Sequence, residues 1–233
     1  MNLVDIILQF KITQMKIGQS IITTWLLMLL LLVFALVTRR LLTNKLNRFQ
    51  VIVEGAIIAM QNAIEAVLPT HVELVFPFIA TLWIFIFFAN LIGIIPGLSS
   101  PTADLSVTSA LAILVFVSVH WFGIKAEGAR NYLKHYLTPS PIMLPFHIIS
   151  EITRTLALAV RLFGNMMSLE LTVLIILMVA GFLVPVPILM LHIIEACVQT
   201  YIFGMLALIY IAGGIQSHQL KSNKLNNLIE EKS

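Results

Sequence analysis

Charge is what this chain has least of. Only 11% of its 233 residues are charged, against about 25% in an ordinary soluble domain. With 59% hydrophobic residues and a mean hydropathy of +1.00, the polar surface is too small to wrap a water-soluble globule of this size. The bilayer must therefore be part of the solvent. Cysteine is nearly absent: Cys197 alone excludes a disulfide framework within the chain. Internal repeats and low-complexity linkers are missing, and the first apolar run is not followed by a small-residue cleavage site. These absences predict one polytopic membrane domain over 1–233, with an outer N-terminal segment at 1–20, membrane helices across 21–215 and a cytoplasmic tail at 216–233. A pI near 9.1 is no sign of nucleic acid, because the basic residues sit between apolar runs, as membrane topology requires.

A spanning helix needs about 20 predominantly apolar residues. Five runs qualify: Ile21 to Leu42, Val72 to Ile95, Val107 to Ile124, Phe146 to Leu183 and Ile188 to Ile215. The fourth is too long for an upright span at 1.5 Å per residue, so it must tilt strongly or break. Gly181, Pro185 and Pro187 punctuate its end. Between the first and second runs, Asn47 to Leu68 mixes Val51, Ile57, Ile58 and Ile64 with Glu54, Gln61, Asn62 and Glu65. This pattern predicts an amphipathic helix on the membrane surface. The expected fold is thus an all-α membrane protein of five membrane-embedded helices plus this surface helix.

Basic residues orient it. Ten of the fourteen Lys and Arg lie after the first, third and fifth runs: Arg39, Arg40, Lys45, Arg48, Lys125, Arg130, Lys134, Lys221, Lys224 and Lys232. The opposite side holds Lys11 and Lys16, and the last two, Arg154 and Arg161, lie inside the fourth run. The positive-inside rule then places the N-terminus outside and the C-terminus in the cytoplasm.

The polar residues left inside the apolar runs carry the functional signal. Insertion costs about 2.5–3.5 kcal/mol for each Arg or Asp at a helix centre, and such residues are functional by default. Arg161 has apolar sequence on both sides, which makes snorkelling hard to sustain. At about 100° per residue, Arg154, Arg161 and Asn165 share one stripe, His147 lies close to it, and Glu170 projects from the opposite side. In the fifth run His192, Glu195 and Gln199 share a face. Two polar faces on consecutive helices predict a packed, tilted hairpin enclosing hydrated pockets. A turn near residue 180 would set Arg161 level with Gln199. Glu170, His192 and Glu195 would gather towards the outer end, and His147 and Glu151 towards the cytoplasmic end, with Arg161 between them. This layout suggests two half-channels separated by a charge. Arginine keeps its proton in any protein setting, whereas His and Glu can relay protons. A lone membrane His or Gln is also commonly a helix-packing hydrogen bonder.

Arg161-Leu162-Phe163-Gly164-Asn165-Met166 resembles the signature of F-type ATP synthase subunit a. The resemblance extends to Asn90-Leu91-Ile92-Gly93-Ile94-Ile95-Pro96-Gly97, to Ser100-Pro101-Thr102-Ala103-Asp104 with Val107-Thr108, and to Gln199-Thr200-Tyr201-Ile202-Phe203. It implies a non-catalytic, ion-translocating subunit of the Fo sector with no cofactor and no metal. Its implied partners are a c-subunit ring, a b-subunit peripheral stalk and the F1 sector, in the lipid bilayer of a bacterial inner membrane. It further implies that Arg161 faces passing ring carboxylates, and that Arg161, Asn165, Glu170, His192, Glu195 and Gln199 match family positions of ion translocation. Thr155 stands where the family often has Pro, His147 where it often has Glu, and Ser168-Leu169 where it usually has Ala-Gly. The stretch Arg154 to Val160 resembles a divergent, sodium-linked branch, so the coupling ion is H+ or Na+.

Other classes fare worse. A secondary transporter using Arg161 to bind an anionic substrate should show repeated halves and paired broken helices, and neither is present. An intramembrane hydrolase lacks support too: Ser150 and Ser168 have no Gly-x-Ser-x-Gly setting, and there is no His-Glu-x-x-His metal motif. A purely structural subunit would have no reason to keep so many buried polar groups.

Overall fold

In the computed structural model, residues 19–41, 48–94, 100–128, 144–180 and 186–230 are described. They form six α-helices: α1 (Gln19–Leu41), α2 (Arg48–Val67), α3 (Val72–Ile92), α4 (Leu105–Glu127), α5 (Leu144–Ala180) and α6 (Val186–Glu230). A short 3-10 turn, Pro101–Ala103, precedes α4. Among the described residues there is no strand. All six helices are long and apolar enough to cross a membrane. That makes one more candidate span than the five expected, because α2 also reaches the required length; it is the least apolar of the six.

The helix ends follow local chemistry. Pro101 opens the 3-10 turn, and the Ser100 side chain accepts from the Thr102 amide. Asp104 caps α4 by accepting from the Ser106 amide at 2.9 Å, which satisfies one of the orphan donors of the first turn. Gly128 ends α4 with φ +85°, a backbone region that costs a side chain but not glycine. Hydroxyl side chains within the apolar helices turn back on their own backbone. Thr155 donates to the Glu151 carbonyl, Thr172 to Ser168 and Thr200 to Ala196, so these three hydroxyl protons are satisfied inside the helix.

The structure decides between tilt and break for the fourth run, and it lengthens the helix of the fifth. The fourth run does not break: α5 is one continuous helix of 37 residues. It is about 55 Å long at 1.5 Å per residue, and it must tilt to fit a hydrocarbon layer about 30 Å thick. The fifth apolar run ends at Ile215 as expected, but its helix does not. α6 continues to Glu230 for 45 residues, so most of the expected polar tail is helical. Once a helix has emerged into water it needs no apolar side chains to keep its backbone bonds, and hydropathy alone misses that extension. Pro187 sits at the second position of α6, where a missing amide costs little. The turn residues Gly181 and Pro185 lie outside the described residues, as do segment 1–18 and Lys45, Pro96, Gly97, Ser99, Arg130, Lys134 and Lys232.

The core lies where α3, α4, α5 and α6 meet. Ile79, Ile86, Leu162, Met166, Leu208 and Ile211 are fully buried there. α5 packs chiefly on α4, and α6 on both α3 and α4. One close approach sets the α3–α6 spacing: a Cβ on Gly204 would overlap the Trp83 indole. Tyr201, three residues earlier, stacks on the same indole with centroids 6.4 Å apart. Elsewhere the surface is strongly apolar, with Trp25 75% and Met178 86% exposed. A bilayer tolerates such a surface and water does not.

Candidate ion-translocation site

The polar residues of α5 divide between two faces. Glu170 is half-buried and points into the bundle, where its Oε1 accepts from the Ser100 amide at 2.6 Å. That amide lies in the link between α3 and α4, so one carboxylate ties three segments together. Gly93 makes room for the group. A Cβ added there would sit 3.4 Å from Glu170 Oε1 and 3.5 Å from His192 Cε1.

His192 is 1% exposed, and its Nε2 lies 3.2 Å from the Asn90 carbonyl. A carbonyl only accepts, so Nε2 carries the proton and donates. Around it runs a hydroxyl and amide cluster. Ser100 donates to the Ala89 carbonyl at 2.8 Å, Thr102 donates to Asn90 Oδ1 at 2.7 Å, and the two hydroxyl oxygens are 2.7 Å apart. Asn90, Ser100 and Thr102 are all essentially fully buried. Among the described residues Asn90 Nδ2 has no protein partner. A buried donor left so costs about 1–3 kcal/mol.

Arg161 lies on the other face. Its side chain is exposed, and among the described residues it takes part in no hydrogen bond or ion pair. Asn165, one turn on, donates through Nδ2 to Gln199 Oε1 at 2.8 Å, which joins α5 to α6. The hairpin is thus real, with a register one turn from expectation: Gln199 pairs with Asn165 rather than lying level with Arg161. Gln199 is 2% exposed, and among the described residues its Nε2 has no partner. Glu195 is half-buried; among the described residues it makes no hydrogen bond to Glu170 or His192, so the expected outer trio contains two members in contact with one cluster and one apart. Arg154 is exposed and stacks over the Tyr210 ring, 5.5 Å from its centroid.

Towards the N-terminal end of α5, Glu151 Oε2 lies 3.3 Å from His120 Nε2 on α4. His147 is one turn before Glu151 on α5, and its side chain lies outside the described residues. Stripe reasoning within α5 and α6 overlooked His120, and it gave no role to Asn90, Ser100 and Thr102. The signal was there for Asn90, a polar residue inside an apolar run. No metal-binding group of three or more His, Cys, Asp or Glu occurs among the described residues.

A match to the family described as ATP synthase A chain covers residues 21–212. The chain belongs to that family. ATP synthase subunit a of Legionella pneumophila strain Paris is 65% identical over 214 residues, spanning 91% of this chain and 93% of that relative. ATP synthase subunit a 2 of Pelobacter propionicus is 58% identical over 208 residues, 89% of this chain and 91% of the relative. ATP synthase subunit a 1 of Hahella chejuensis is 56% identical over 202 residues, with 87% and 86% covered. The resemblance carried by Arg161 to Met166 is therefore confirmed at the level of the family. The chain is a multi-pass membrane protein and a non-catalytic, ion-translocating part of an ATP synthase, working in complex with other subunits of that enzyme.

Proposed function

We propose that this chain is the stator half of the rotary motor, in which two half-channels carry H+ or Na+ to and from c-ring carboxylates past Arg161. The observation that carries this reading is the opposition on α5. Arg161, without a hydrogen bond or ion pair among the described residues, faces outward near the middle of the helix, and Glu170 is turned inward to a buried polar cluster nine residues later. At 1.5 Å per residue the two are about 14 Å apart along the axis. Arg161 would meet ring carboxylates on the open face of α5. The cluster of Asn90, Ser100, Thr102, Glu170 and His192 would form the outer half-channel, with Glu195 near it. Glu151 and His147 would serve the cytoplasmic one. The ring and a b-subunit stalk are the proposed direct partners, and the single domain sits in a bacterial inner membrane with its N-terminus outside. Labelling of a cysteine at Ser99 from the cytoplasm would reverse that orientation.

The physics requires a fixed cation. Desolvation alone raises a buried carboxyl pKa by up to about 3–5 units, which would hold a ring carboxyl neutral. A guanidinium a few ångströms away stabilises the anion and allows the ion to leave. The membrane field supplies only about 2.3 kcal/mol per charge per 100 mV, so an uncompensated barrier of several kcal/mol would stall rotation. Arg161→Ala should abolish ATP synthesis and ATP-driven pumping in assembled complexes and open a passive leak. Arg161→Lys should not restore synthesis, because lysine is a compact charge with a shiftable pKa. Reconstituted vesicles with an ion-sensitive dye measure both effects. Coupled synthesis in the assembled alanine variant would refute the reading.

A further inference from the structure

The contact between His120 on α4 and Glu151 on α5 has no counterpart in the outer cluster, because it joins two titratable side chains directly. The Nδ1 of His120 lies 2.9 Å from the Phe116 carbonyl, which can only accept, so Nδ1 carries a proton. Its Nε2 then faces Glu151 Oε2 at 3.3 Å. Contact between these atoms needs one further proton, and only one. Either Glu151 holds it and donates to the imidazole, or Nε2 holds it and an ion pair results. The two arrangements differ by the position of a single proton. Both keep the Nδ1 bond, and neither requires the helices to move.

The surroundings favour proton storage over a simple clamp. The side chains of His120 and Glu151 are 31% and 23% exposed, so solvent reaches both. On α3, Phe78 packs on the Phe122 ring at 5.7 Å. On α6, a Cβ at Gly214 would meet Val119 at 3.2 Å, so glycine faces α4 at this level. Among the described residues, charged groups on the elements packed here include Arg154 on α5, held over Tyr210 of α6, Lys125 in the last turn of α4 and Glu73 in the first turn of α3. His147 shares α5 one turn from Glu151.

We propose that His120 and Glu151 together form a one-proton relay on the cytoplasmic side of Arg161, with His120 positioning the carboxylate and sharing its proton. In the transfer step the proton leaves Glu151 Oε2 for His120 Nε2, giving carboxylate and imidazolium; loss of that proton to cytoplasmic solvent leaves a carboxylate ready to accept the next from the ring side. Imidazole suits the task because it changes charge in the neutral range. This inference rests on the proposed half-channel reading and commits the inner path to protons.

The test uses the whole ATP synthase in inverted vesicles, where the bath sets the cytoplasmic pH. ATP-driven acidification is followed across bath pH. His120→Gln and Glu151→Gln should each slow pumping about tenfold at neutral pH and flatten its pH profile. The double variant should be no slower than either single, because the shared proton counts once. The exchanged pair, His120→Glu with Glu151→His, should recover at least half of the wild-type rate, which a residue that only filled space would not do. It also keeps the test valid if either single variant assembles poorly. An unchanged pH profile in His120→Gln, additive losses in the double variant, or sodium uptake without acidification would overturn the relay. Arg161→Ala separates the two readings. If it is inactive while His120→Gln is unaffected, only the relay fails; if it pumps normally, the half-channel reading itself fails.

Discussion

Arg161 and Glu170 sit nine residues apart on one helix and live in opposite environments. Glu170 is locked by the Ser100 amide beside a histidine and a set of buried hydroxyls. Among the described residues Arg161 makes no hydrogen bond or ion pair, and its side chain is exposed. A charge at the surface of an apolar, membrane-spanning helix is costly to keep without a partner. On the proposed reading, the partner that answers it is a ring carboxylate. On that reading the inward face of α5 holds still and the outward face meets a partner.

The largest effect should follow from Arg161, where Arg161→Ala removes all coupled transport while leaving assembly intact. If losing the outward charge left coupling normal, the contrast between the faces would have no functional meaning. Next come the inward groups. Single neutral substitutions of Glu170, His192 or Glu195 should slow ATP-driven pumping by graded amounts, since water can bridge a gap left by one side chain. The triple Glu170→Leu/His192→Leu/Glu195→Leu variant should not pump. Because Glu195 makes no hydrogen bond to Glu170 or His192 among the described residues, it should be the mildest single. A Glu195 variant as impaired as Glu170→Leu would sharpen the picture by drawing Glu195 into the cluster.

Gly204→Ala probes packing alone. The added methyl would overlap the Trp83 indole, and overpacking of this kind costs about 1–3 kcal/mol. The amount of chain in the membrane should fall several-fold, while any complex that assembles pumps at the normal rate per molecule. Immunoblotting against activity separates the two quantities. Restored abundance in Gly204→Ala/Trp83→Leu would confirm the clash.

The smallest effect belongs to the cap of α4. The Ser106 hydroxyl, and then its amide, hold the Asp104 carboxyl below its usual range. A lowered folded pKa means that the stabilisation is complete above the unfolded value of about 3.9 and disappears as pH falls through the lower folded one. Asp104→Ala should lower thermal stability in detergent at neutral pH by at most about 1 kcal/mol, given partial exposure to water. The gap from wild type should close only in strong acid. A gap that persisted unchanged in acid would show that the carboxylate charge is irrelevant to the cap.

Much of this was readable before any coordinates. The starts of α1 to α4 fall within two residues of the apolar runs, because a bilayer imposes a length and a composition that a sequence cannot hide. Arg161 stood out for the same reason, as a charge with no local excuse. His120 was not legible. It sits in an apolar run where a lone histidine is unremarkable, and its partner Glu151 is 31 positions away. Asn90, Ser100 and Thr102 were visible as a resemblance but had no chemistry until Glu170 and His192 were placed beside them.

By itself, then, the sequence determined that the chain lives in a membrane, that it is helical, which family it belongs to and which charge lies alone in an apolar helix. These properties follow from local composition and from one short motif. Only the tertiary structure decided that Glu170 and His192 share a cluster with three residues near the α3–α4 link, that Gln199 answers Asn165, and that His120 meets Glu151. Those pairings depend on the crossing and register of separate helices. They are set by packing, as in the contact of Gly204 with Trp83, and helical periodicity gives a face for each residue but never names what lies across from it.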